Sequence, residues 1–194
     1  SASKAASEFV ISSYRLSFLE KQGVAVASAR AGNVIGGGDW SSDRLIPDAI
    51  RAWQKGKSIE VRHPNAVRPW QHVLEPLFGY LILAEQLSAN ISLADAYNFG
   101  PINHEAVTVS HLLDLASKNY GIGKVRHCRE IKGPKEAELL ELDIAKAKKI
   151  LGYYPRLKLA DEIELTMNWY RSQQNGFNSR ELCNNDIATY EALY

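Results

Sequence analysis

The chain has 194 residues, of which 45% are hydrophobic and 23% charged, so it can bury a sizeable core as one compact domain or a domain with an attached fragment. Its 23 basic and 22 acidic side chains leave a net charge of +1 at pH 7, without the basic excess that a nucleic-acid-binding face needs. Its two cysteines, Cys128 and Cys183, stand far apart and away from any ligand-spaced histidine, so the sequence suggests no disulfide framework or zinc site and fits a reducing cytoplasm.

Residues Ser3–Gln22 read as an amphipathic helix, with Ala6, Val10, Tyr14 and Phe18 at helical spacing and Gly23 as its stop. Val24–Val34 follows as an apolar, β-branched-rich run that reads as one buried parallel strand, ended by Gly36, Gly37 and Gly38. Leu45–Lys55 is predicted helical, with Pro47 tolerated in the first turn, and Ser58–Arg62 a short strand. A turn around Pro64, Asn65 and Ala66 leads to Arg68-Pro69-Trp70-Gln71-His72. Glu75–Ala89 is a strongly helical stretch with Leu77, Tyr80, Leu81, Ala84 and Leu87 on one face. Ala96–Phe99 is a short strand, Val109–Asn119 a helix with Thr108 as N-cap, and Lys124–Ile131 a strand. Asp143–Leu151 and Leu159–Gln174 are helices, the first stopped by Gly152. The tail from Asn175 is polar, with a loose helix expected at Asp186–Leu193.

A helix leading directly into a buried strand, followed by alternating helices and short strands, means α/β. Residues 1–40 are expected to be the end of a larger parallel-sheet domain, 41–175 a smaller ligand-binding lobe, and 176–194 a tail. No apolar run approaches the length of a membrane span, and Ser1–Lys4 has no signal-peptide character. No initiator Met is present, so the chain is expected to begin part-way along a longer protein.

Several residues stand out for chemistry, each with a plainer reading beside it. Lys4 on spacing alone is an ordinary helix-start lysine. Arg30, in an apolar strand, needs a partner, either an ion pair or a ligand. Asn33 before three glycines either caps a loop or faces a ligand, because a glycine-rich loop at the carboxyl end of a parallel strand lets backbone amides approach one. Trp40 and Trp70 read as packing residues, and His72 as a structural ring hydrogen-bonded beneath a helix. Lys146, Lys148 and Lys149 read as a solvated helix face, and Glu136, Glu138 and Glu141 as surface carboxylates rather than metal ligands.

Four stretches resemble the extended short-chain dehydrogenase/reductase family, the NAD-dependent nucleotide-sugar epimerases and dehydratases: Ser1-Ala2-Ser3-Lys4, Arg30-Ala31-Gly32-Asn33-Val34-Ile35-Gly36-Gly37-Gly38-Asp39-Trp40, Arg68–Pro76, and Tyr97-Asn98-Phe99-Gly100-Pro101 with Asp143–Ala147 and Leu151–Pro155. The resemblance implies a Rossmann-type fold with a small mixed α/β substrate lobe, and covers only the second half of such an enzyme. In the family, a Tyr four positions before the residue matching Lys4 is the catalytic base. The lysine lowers that phenol's pKa and hydrogen-bonds the nicotinamide ribose, so Lys4 would be both catalytic and cofactor-binding. The matching Tyr, the glycine-rich NAD fingerprint and the active-site Thr and acidic pair would precede Ser1.

The same resemblance implies that Asn33 and Arg68 hold a diphosphate, Arg68 through its planar fork. It puts Arg44, Leu45 and Arg62 where relatives meet the base, and leaves a second phosphate-binding arginine replaced at best by Lys135. Gly-Gly-Gly-Asp-Trp and Arg-Pro-Trp-Gln-His are similar to the branch acting on CDP-glucose. That branch implies a lyase converting CDP-D-glucose to CDP-4-keto-6-deoxy-D-glucose with bound NAD, in deoxysugar and surface polysaccharide biosynthesis. It also implies a homodimer through the first helix, with Ala6, Val10 and Tyr14 in the contact. Alone, the 194 residues are expected to be inactive. The other readings are a family member acting on a UDP or dTDP sugar, and a non-catalytic nucleotide-binding module. No metal, nucleic acid or membrane enters any of them.

Overall fold

The structure, a computed structural model, describes residues 2–102, 106–128 and 137–193. In chain order the helices are α1 (Ala2–Tyr14), α2 (Leu45–Gln54), α3 (Leu74–Ala89), α4 (Val109–Tyr120), α5 (Ala145–Leu151), α6 (Leu159–Gln174) and α7 (Ser179–Glu191). The strands are β1 (Ser28–Ala31), β2 (Asn33–Ile35), β3 (Ser58–Val61), β4 (Val67–Arg68), β5 (Trp70–His72), β6 (Ala96–Phe99), β7 (Val107–Thr108) and β8 (Lys124–His127). The expected strand at Lys124–Ile131 is therefore observed over its first four residues, and its last three lie outside the described residues, as do Lys135 and Glu136.

The predicted helix at Ser3–Gln22 runs without a gap from α1 through a π-helical turn at Arg15–Leu19 and a 3-10 turn at Glu20–Gln22. Gly23 ends it at φ 71°, in the left-handed region that a Cβ disfavours. The expected single strand at Val24–Val34 is two strands, and Val24 is exposed. The chain turns at Gly32, where a Cβ would stand 2.9 Å from Pro69 Cγ and 3.0 Å from Pro69 O. Each half then takes its own parallel partner: β1 pairs with β6, Ser28 opposite Ala96, and β2 pairs with β5, Asn33 opposite Trp70. β6 falls within the 41–175 stretch read as the lobe, yet its ladder is with a strand of the first 40 residues. Elsewhere β3 pairs in parallel with β8, and β4 runs antiparallel to β7.

Two apolar clusters hold these pieces. The larger packs α2, α4 and α6 over β3, with Ile50, Trp53, Leu112, Leu113, Ile163 and Met167 at its centre. The smaller joins α3, β6 and α5 through Leu83, Tyr97, Phe99, Leu151 and Tyr153. Gly79 lets α3 lie on β6, since a Cβ there would meet the Phe99 ring at 2.2 Å. The face of α3 that goes inward is therefore Glu75, Gly79 and Leu83, and Leu77 and Leu81 of the predicted apolar face point outward. α1 buries no residue at all, and Phe9, Val10 and Tyr14 are more than half exposed.

The caps follow the sequence. The Thr108 hydroxyl accepts from the His111 amide, and Gly121 and Gly152 end α4 and α5 in the left-handed region. The tail departs from expectation. α7 is a docked helix, longer than the expected loose one, because Asn178 accepts from the Arg180 and Glu181 amides and Tyr190 is buried at its far end. The Tyr190 hydroxyl donates to Glu75 Oε2 at 3.1 Å, and the Arg156 guanidinium lies over the Phe78 ring. Glu75 Oε1 also accepts from the Arg156 and Leu157 amides, at 2.8 and 2.7 Å. Burial pushes the Glu75 carboxyl up despite these donors.

Candidate functional site

A cavity of about 510 Å³ opens where β2, the N-terminus of α2, the end of β3 and β4 meet. Asn33, Arg44, Leu45, Arg62 and Arg68 all line it. Asn33 is the first residue of β2 and sits in register with Trp70, which places it beside the strand that follows Arg68. Arg68 ends β4, and its Nη1 donates to Val67 O at 2.8 Å. Arg62 follows the last residue of β3. Arg44 precedes α2 in an extended conformation, and Leu45 opens the helix with its side chain against the larger core. Lys4 does not line the cavity; it stands exposed in the first turn of α1.

Carboxylates share this lining with the arginines: Asp39, Asp43, Asp48 and Glu60. Asp39 accepts from the Ser41 amide at 3.0 Å and pairs with Arg44 Nη1 at 3.3 Å. Burial alone would raise its carboxyl, but the Ser41 donors and the Arg44 charge outweigh that and hold it below its ordinary value. Sequence reasoning passed over these acids, although Asp39 belongs to the Gly-Gly-Gly-Asp-Trp run and Asp48 stands in the first turn of α2. The loop at 36–44 brings Asp39 and Asp43 to the cavity, and the placement of α2 and β3 brings Asp48 and Glu60, none of which spacing reveals.

The three glycines do different things. Gly36 lines the cavity. Gly37 and Gly38 face away, against Trp169: a Cβ on Gly37 would fall 2.0 Å from Trp169 Cγ. Gly37 is required by close packing of the loop on α6 and Gly38 by its φ of 81°, while Gly36, which lines the cavity, also has no room for a Cβ, 2.7 Å from Val73 Cγ1. Arg30 takes the ion-pair option, its Nε and Nη2 on the two Glu8 oxygens at 2.7 and 2.8 Å, which ties α1 to β1. Trp70 is buried, and Trp40 packs edge-on against Tyr170 with ring centroids 5.2 Å apart.

His72 is 1% exposed, and its Nδ1 accepts from the Leu74 amide at 3.4 Å, the structural role the sequence suggested. Burial pushes its pKa down to about 4, so the ring is neutral at physiological pH. Trp70 Nε1, Gln71 Oε1 and His72 Nε2, one on each residue of β5, are buried without a hydrogen-bond partner. Among the described residues no group of three or more His, Cys, Asp or Glu is placed to hold a metal ion, and no helix is long and apolar enough to cross a membrane.

The sequence is 38% identical over 196 aligned residues to the CDP-glucose 4,6-dehydratase of Salmonella typhimurium, covering 98% of this chain and 55% of that protein. The fold superposes on a dTDP-glucose 4,6-dehydratase from Streptomyces venezuelae with NAD bound, at TM-score 0.73 and 24% identity, covering 91% of this chain and 52% of that one. It superposes equally on a UDP-glucuronic acid 4-epimerase from Bacillus cereus in complex with UDP-glucuronic acid and NAD, at TM-score 0.73 and 18% identity over 89% and 52%. The chain therefore shares the fold of part of each of these dehydratase and epimerase structures. It spans about half the length of these relatives. No protein-family model matches it.

In such a fold the pyrophosphate of a dinucleotide lies against a glycine-rich turn opening a helix. The one glycine triplet among the described residues, Gly36–Gly38, is separated from the start of α2 at Leu45 by further loop and so does not open that helix.

Proposed function

We propose that the chain is the nucleotide-sugar-binding part of a lyase that dehydrates CDP-D-glucose to CDP-4-keto-6-deoxy-D-glucose, a step towards deoxysugars of surface polysaccharides, in the cytoplasm. The observation that carries this reading is the convergence of Asn33, Arg44, Leu45, Arg62 and Arg68 on one cavity, in a chain 38% identical to a CDP-glucose dehydratase. Arg68 and Asn33 hold the diphosphate, the guanidinium as a planar fork and the amide as a donor. Arg44, Leu45 and Arg62 meet the base, with the Arg62 guanidinium available to stack on it. Fixing both ends of the diphosphate orients the hexose for reaction. NAD, when bound, supplies the hydride acceptor and donor, and Lys4 contributes a ribose contact and the positive charge that lowers the pKa of a base tyrosine. Residues 1–40 are read as the end of the cofactor domain, 41–175 as the substrate lobe and 176–194 as a tail. The exposed apolar residues of α1 support a homodimer through that helix.

A second reading is a sister enzyme acting on a UDP or dTDP sugar, favoured by the fold likeness to the Bacillus and Streptomyces proteins. A thermal-shift titration with CDP-, UDP-, dTDP- and GDP-glucose separates the two, because a ligand that binds only the folded chain raises its melting midpoint. The CDP sugar alone should raise it, and Arg68→Ala should abolish the rise. Preference for another base moves the assignment to a sister enzyme. A rise that survives Arg68→Ala removes that arginine from the site.

A further inference from the structure

The loop at 36–44 supplies Gly36, Asp39, Asp43 and Arg44 to the cavity lining, and it is held from behind by side chains that do not line the cavity. Arg51, on α2, donates through Nη1 to Trp40 O at 2.9 Å and through Nη2 to Ser41 O at 3.0 Å, and it also pairs with Asp48. Tyr170, on α6, donates its hydroxyl to Asp39 O at 2.6 Å while its ring meets Trp40 edge-on. Three successive carbonyls, of Asp39, Trp40 and Ser41, are thus fixed by two helices of the larger core. Within the loop, Asp39 in turn holds the Ser41 amide and the Arg44 guanidinium. Asp43, next to Arg44, has φ 61°. A residue with a side chain keeps such a backbone only where its surroundings over-determine it.

We propose that Arg51 and Tyr170 are positioning residues that keep this loop as a preformed wall of the cavity, so that affinity for the nucleotide sugar depends on two side chains that do not touch it. A guanidinium holds two donors in a fixed planar geometry, one on each carbonyl, whereas an ammonium is a rotating point charge on a flexible stem that sets no such geometry. With the wall already ordered, binding carries little ordering cost for the loop. The proposal rests on reading the cavity as a nucleotide-sugar site.

Two conservative variants of the 194-residue chain test it. Tyr170→Phe keeps the ring against Trp40 and loses only the hydroxyl. Arg51→Lys keeps a charge beside Asp48 and loses the fork. Hydrogen exchange of the loop amides and calorimetric titration with CDP-glucose are read on each. The expected result is faster exchange confined to residues 39–44 and a dissociation constant about tenfold weaker, with unfolding still cooperative. Unchanged loop protection overturns the proposal, because the two side chains then do not hold the wall. A loosened loop with affinity within about twofold of the parent also overturns it, because the wall then does not set binding. Failure of the parent chain to bind CDP-glucose or the UDP, dTDP or GDP sugars overturns the reading of the cavity, and this proposal with it. Binding by the parent that neither variant alters overturns this proposal alone.

Discussion

His72 carries a consequence for stability that its burial dictates. The folded ring titrates at about 4 and the unfolded one at 6.5. Between those values the unfolded chain binds a proton that the folded chain does not, so stability falls as the pH falls from 6.5 to 4. At about 1.4 kcal/mol per unit of pKa difference, the loss is about 3 kcal/mol. Glu75, pushed up by burial, and Asp186, pushed up to about 6 by burial, act in the opposite sense, favouring the fold as the pH falls. The comparison is therefore with His72→Asn, which retains an acceptor for the Leu74 amide and does not titrate. Urea denaturation across this range should show the native chain losing stability relative to the variant; parallel profiles would mean that the ring is protonated in the fold. That His72 was structural could be read from its place just before a predicted helix. Its orphaned Nε2, and the orphaned atoms of Trp70 and Gln71 beside it, could not, because what surrounds β5 comes from distant parts of the chain. The same holds for Asp39 and Asp48: a carboxylate on a loop or first turn is legible, the cavity it faces is not.

Long helices were legible because an apolar period repeated over three or four turns is a strong signal, and Leu159–Gln174 falls where the sequence put it; the short strand Ala96–Phe99 does too, marked by the Gly100-Pro101 that ends it. Strands of two or three residues, such as β4, β5 and β7, hold no full alternation, so pairing alone defines them. Which face of a helix goes inward was also hidden for α1 and α3, where apolar residues cover more than one side. α1 presents Phe9, Val10 and Tyr14 at 77, 60 and 58% exposure, and α3 presents Leu77 and Leu81. Val10 and Tyr14 stand one turn apart on α1, and the proposed homodimer contact would cover them. Light scattering on the purified chain should give the mass of a dimer, and Val10→Glu should return it to a monomer, because an unpaired carboxylate would be buried in the contact. A monomeric parent would rule out self-association through α1.

At the scale of the whole chain, the α/β class and the order of elements were readable, and the interleaving of the first 40 residues with β6 was not, since strand order is a long-range property. Read as the substrate-binding part of a nucleotide-sugar dehydratase, spanning about half the length of its relatives, the 194 residues alone should give no turnover. Incubation with CDP-glucose and NAD should leave the substrate unchanged by nuclear magnetic resonance, and appearance of a 4-keto sugar would show that another group in the chain serves as base. The break at Gly32 bears on how such a chain acquires its structure. Ser28–Ala31 waits for Ala96–Phe99, and Asn33–Ile35 waits for Trp70–His72, so neither half of one short segment can settle beside its neighbours in sequence. Closing such distant loops before any ladder rewards them is slow. During synthesis the segment leaves the ribosome long before its partners do, and its two unpaired edges stay open to other chains until residue 99 has emerged.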